Sequence, residues 1–132
     1  MASIRRILEL RADPAAVWDA LCAVGEVHIR LACGFVTMTE MDGEERVVRF
    51  ANGVVARERI IAIDTQARRL AYTVVGGRAS HHNAAFEVFE NASGGTRLVW
   101  TTDVLPDAVA SAVAGMMDHG LVAIRNTLDG TE

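Results

Sequence analysis

The chain contains no lysine. All 13 of its basic residues are arginine, which excludes Schiff-base chemistry and a P-loop, because both need an amine side chain. Cysteine is almost as scarce: only Cys22 and Cys33 occur, in an expected helix and on the approach to an expected strand. They offer neither a disulfide framework nor C-x-x-C spacing, so both are expected to be reduced and structural. Positive charge is in deficit, with a net charge of -4, which argues against nucleic acid as a partner because phosphates call for a basic face. No apolar run approaches the roughly 20 residues of a membrane-spanning helix. The opening MASIRRILEL has two arginines but neither the apolar stretch nor the small-residue cleavage site of a secretion signal. The expectation is a cytoplasmic protein without membrane insertion.

What is present suffices for a core. The 132 residues are 51% hydrophobic and 23% charged, enough for one domain over residues 1–132 without disulfides or structural metal. SIRRILELR, residues 3 to 11, mixes apolar and charged positions at a period near two. In ADPAAVWDALCAV, Asp13 is placed as an N-cap and Pro14 at the first helical position, predicting a helix over 14–22. After GEVHIRLACG come segments divided by Asp42-Gly43, Asn52-Gly53, TQARR, the Gly76-Gly77 pair and NASGG, a succession of antiparallel strands. From Pro106 to about residue 128, Val109, Val113, Met116, Met117, Gly120, Leu121, Ile124 and Leu128 recur at helical spacing. The expected class is α+β: about seven strands in a curved antiparallel sheet around a long C-terminal helix, with two short helices after the first strand.

VVGGRASHHNAAFEVFE, residues 74–90, holds half of the four histidines. Neighbouring strand residues point to opposite faces, so His81 and His82 cannot grip one metal together. His82 shares parity with Ala84, Phe86 and Val88 and is expected to face the helix, with His81 outward. No H-x-x-x-H or cysteine pair supplies further metal ligands. His82 is either a neutral wall residue with one hydrogen bond or a general base. Glu58 shares parity with Val54, Ala56, Ile60 and Ala62, which puts a carboxylate on an apolar face; otherwise it is a surface carboxylate between Arg57 and Arg59. Tyr72 and Trp100 suit a cavity wall or a core edge, and Met116 and Met117 a core or an adaptable pocket. His119 falls opposite the stripe. Ser80 and Ser111 lack a triad context.

The ordered set ADPAAVWDAL, GEER, NGVVARERIIAID, RRLAYTVVGG, GGTRLVW and GLVAIRNTL resembles the START-like, or SRPBCC, superfamily in its polyketide cyclase/dehydrase branch, whose fold is the helix grip. The resemblance covers residues 3 to 128. Residues 57 to 83 also resemble a stretch of the plant abscisic acid receptors, and by position Glu58 and Tyr72 would line the cavity. The receptors' gate loop is replaced by FANGVV and their latch by Ala79, Ser80 and His81. Ala84, Phe86 and Gly120 stand where a cavity tyrosine, serine and asparagine would be, and Arg30 is a loose candidate for the anion-pairing lysine. Hormone sensing is not implied.

The resemblance implies a bacterial-type protein that binds a small apolar ligand, polyketide, isoprenoid, aromatic or lipid-like, between sheet and helix. Alternatives are a cyclase/dehydratase-type enzyme with His82 or Glu58 moving a proton, and an interaction module like the superfamily's toxin and quinone-chaperone members. The pocket, of order 300 to 1,000 Å3, is expected to be bordered by Glu58, Tyr72, His82, Phe86, Trp100, Met116, Met117, Gly120 and Leu121. No metal, nucleotide or flavin is expected; a homodimer is left open.

Overall fold

Period-two alternation becomes seven strands: β1 (Ala2–Leu10), β2 (Val36–Asp42), β3 (Glu45–Phe50), β4 (Val55–Asp64), β5 (Arg69–Val75), β6 (His81–Glu90) and β7 (Thr96–Leu105). The structure is a computed structural model and describes residues 1–130. The strands form one sheet in the order β1-β7-β6-β5-β4-β3-β2, every neighbouring pair antiparallel. Strands 2 to 7 follow one another as a meander because short turns permit nothing else. Gly43 takes φ +63 at the β2–β3 turn, which glycine adopts without steric cost. Asn52 accepts a hydrogen bond from the Val54 amide at 3.0 Å to shape the β3–β4 turn.

The helices follow their caps. Asp13 accepts from the Ala15 amide, and Pro14 opens α1, Pro14–Cys22. The second short helix is a single π-type turn, Val27–Leu31. A 3-10 turn, Asp107–Val109, leads into α2, Ala110–Asp129, which lies against the concave side of the curved sheet. Val17, Trp18 and Leu21 of α1 and Ile124 of α2 share one core cluster with Leu70, Phe86 and Leu98 of the sheet. Burying each large apolar side chain there is worth about 1.5–3 kcal/mol.

Two expectations need correction. The β4–β5 register shifts between Ile60 and Ala62, so the inward set ends at Ile60. Ala62 is carried to the other face, opposite Ala71, and Ile63 pairs with buried Leu70. The 23-residue helical segment Asp107–Asp129 also holds a stretch long and apolar enough to cross a membrane by length and composition alone. Here its buried residues Met117, Gly120, Ala123 and Ile124 pack it on the sheet.

Candidate functional site

Between α2 and the sheet lies a cavity of about 210 Å3. Of the residues expected to border it, Glu58, Tyr72, His82, Phe86, Trp100, Met116, Met117 and Gly120 do so. Leu121 does not. It packs half-buried against the core cluster, a rotation of about 100° around the helix from Gly120. Phe35, Val48, Ala56, Val113 and Ile124 complete much of the lining. The cavity is smaller than expected because aromatic rings fill the space that Gly120 leaves. A Cβ there would stand 3.1 Å from Trp100 Cζ3 and 3.3 Å from Phe35 Cε2.

Strand alternation sets the wall on β6. Ala84, Phe86 and Val88 are buried while Asn83 is exposed, and His82, on the buried parity, lines the cavity. His81 is half-buried and is not part of the wall. Burial, and then the neighbouring His81, push the His82 imidazole below its usual pKa. The ring has no hydrogen-bond partner among the described residues; the His82 carbonyl accepts from Thr73 Oγ1 at 3.1 Å.

Glu58 is buried but not alone. Arg46 Nε donates to its Oε1 at 2.7 Å, with the two side chains 5% and 11% exposed. The residues are direct cross-strand partners on β3 and β4. Arg57 and Arg59, its chain neighbours, point away and bind Glu45 instead, at 2.9 and 2.7 Å. Those hydrogen bonds, Arg59's first, hold the Glu45 carboxyl below the usual range. Arg46 was missed as a site residue. A two-residue Asn52-Gly53 turn would put residue 46 opposite residue 59, whereas the strands pair 46 with 58, so the turn alone did not reveal it.

From this pair an aromatic run crosses the wall. The Arg46 guanidinium sits 5.2 Å from the Tyr72 ring centre, a cation–π distance. The Tyr72 and Phe86 rings are 6.4 Å apart, and Phe86 and Trp100 stack at 4.7 Å. Burial, and next the charge of Glu58, push the Tyr72 phenol well above its usual pKa, so it remains protonated. The Trp100 indole N–H comes near enough to Tyr72 to favour its ionised form slightly, yet it completes no hydrogen bond.

Other candidates fall elsewhere. Arg30, His119, Ser80 and Ser111 are exposed and outside the wall. Cys22 and Cys33 are free thiols, and burial, then Asp19, raises the pKa of Cys22. Among the described residues, no group of three or more His, Cys, Asp or Glu could hold a metal ion.

Comparison places this architecture among known proteins. Solved structures of similar shape include XoxI of Bacillus cereus, 20% identical over 97% of this chain and 96% of that one, with a TM-score of 0.82. A START superfamily protein of Mycobacterium smegmatis is 9% identical, covers 96% of each chain and has a TM-score of 0.78. Truncated norcoclaurine synthase of Thalictrum flavum is 17% identical over 99% of this chain and 95% of that one, with a TM-score of 0.74. At such identities the likeness is one of fold. No curated protein matches the sequence significantly. The family model described as polyketide cyclase / dehydrase and lipid transport matches residues 1–129, and the chain therefore belongs to that family, built on the START-like helix-grip fold.

Proposed function

We propose that the protein binds a small apolar ligand in the cavity between sheet and α2. The observation that carries this is an apolar void of about 210 Å3 with a few polar groups at its wall, the usual composition of a small-molecule site. That volume lies below the usual range for drug-sized ligands, so a one- or two-ring compound suits it better than a long acyl chain. A solid-core interaction module would have no such void.

The second reading is catalysis of the cyclase or dehydratase type. It is favoured by His82, a neutral imidazole on the wall with no partner among the described residues, able to accept a proton from a bound ligand. A solved relative, norcoclaurine synthase, is itself a synthase.

Calorimetric titration with naphthalene tests the binding reading. The wild type should bind it, and Ala56→Phe, which fills the cavity from β4, should abolish binding while the protein stays folded. Binding unaffected by Ala56→Phe, or no binding by the wild type, would sink the proposal.

A further inference from the structure

The polar end of the cavity is an ion pair with atoms to spare. Arg46 and Glu58 touch through one contact, Nε to Oε1 at 2.7 Å, and Arg46 Nη1 reaches the Val24 carbonyl at 3.4 Å. Glu58 Oε2 and Arg46 Nη2 have no protein partner among the described residues. Neither is sealed away, because among the described residues the one enclosed side-chain polar atom without a partner is Trp100 Nε1. Both residues line the cavity, so its otherwise apolar wall includes a residue with a spare acceptor oxygen and one with a spare donor N–H. Their direct cross-strand pairing and the Tyr72 ring beneath the guanidinium hold the two in place before any ligand arrives.

We propose that the Arg46–Glu58 pair acts as one charge-neutral recognition unit, selecting an uncharged head group that both donates and accepts, such as a carboxamide or an enolised carbonyl. The inference rests on the ligand-binding reading above and adds the class of ligand. A carboxylate would lose its hydration to meet a guanidinium already neutralised, and would lie against Glu58. An ammonium would meet Arg46 in the same way. A neutral donor–acceptor head satisfies both free atoms at once, and each bond has a charged partner, the stronger kind.

Four probes with the same ring body separate the cases: 2-naphthamide, 2-naphthoate, 2-naphthylmethylammonium and naphthalene, titrated at neutral pH. The wild type should hold the amide about tenfold or more tighter than either ion, the scale of one charge-assisted hydrogen bond. Glu58→Gln keeps an oxygen for Arg46 Nε but removes the negative charge, and should turn the preference toward naphthoate. Naphthalene, which has no polar head, reports in each protein whether the cavity still takes the ring body. Naphthoate or the ammonium bound as tightly as the amide by the wild type would overturn the inference, as would an unchanged preference in Glu58→Gln that still binds naphthalene. Failure of the wild type to bind naphthalene would instead remove the cavity reading on which it rests, and the inference with it.

Discussion

Gly120 and Trp100 are fitted to one another across the helix–sheet interface: a Cβ on the glycine would lie 3.1 Å from Cζ3 and 3.3 Å from Cη2 of the indole. Two effects compete in Gly120→Ala. Helix propensity favours alanine by about 1 kcal/mol, while overpacking costs about 1–3 kcal/mol. Trp100 borders the cavity and can yield toward it, so the overlap is partly relieved at the expense of cavity space. A net destabilisation of about 1 kcal/mol, with weaker naphthalene binding, is the expected result by urea unfolding and titration. Stabilisation with unchanged binding would show that the indole is not constrained there.

Glu58 and Glu45 lie on adjacent strands and differ in burial, which should decide what each is worth. Removing Glu58 as Glu58→Ala leaves a buried guanidinium unpaired, at a cost of about 3–5 kcal/mol. Replacing both partners, as Arg46→Met with Glu58→Leu, should restore most of the loss. Glu45→Ala leaves Arg57 its contact with Asp42 and Arg59 solvated, and should cost no more than about 1 kcal/mol. Equal losses at the two glutamates would contradict the buried pairing.

The two histidines give a paired test of strand parity. His82→Ala should weaken 2-naphthamide by about 0.5–1.5 kcal/mol, a few-fold to about tenfold, if the imidazole supplies one hydrogen bond. His81→Ala should change little. If His82 is a general base, its removal should instead lower turnover about a hundredfold or more with binding nearly kept. Equal sensitivity at both positions would refute an inward His82.

The pH dependence of stability carries a signature of the same residue. The folded state holds His82 below its ordinary value of 6.5, so the unfolded chain binds the proton more readily in that range. Stability should be full above about pH 6.5 and fall as pH drops through the lower folded value. His82→Gln should flatten this part of the curve relative to wild type, in urea melts from pH 8 to pH 5. Glu45 and Glu9, whose pKa values are lowered by their arginine partners, lose stability at lower pH in both proteins and cancel in the comparison. An identical slope would refute the burial of His82.

Much of this molecule is written along the chain. The Asp13-Pro14 start of α1, the Gly43 and Asn52-Gly53 turns, the helical stripe ending in Leu128 and the inward parity of His82 and Phe86 all depend on local φ/ψ preference or on a period of 2.0 or 3.6 residues, and a linear sequence displays both. The same local geometry made Glu58 and Tyr72 visible as candidates.

What tertiary structure decided concerns pairs. Periodicity tells which face a side chain takes but not which residue of another strand lies opposite, so Glu58 could be placed on an apolar face or at the surface between Arg57 and Arg59, while its partner Arg46, one strand away, was not visible. The irregular register at Ile60/Ala62 reversed the parity of Ala62, because one extra residue flips every later side chain. The cavity's size followed from Trp100 and Phe35 filling the space beside Gly120, and volume is a property of packing in three dimensions, which no alternation of polar and apolar letters encodes.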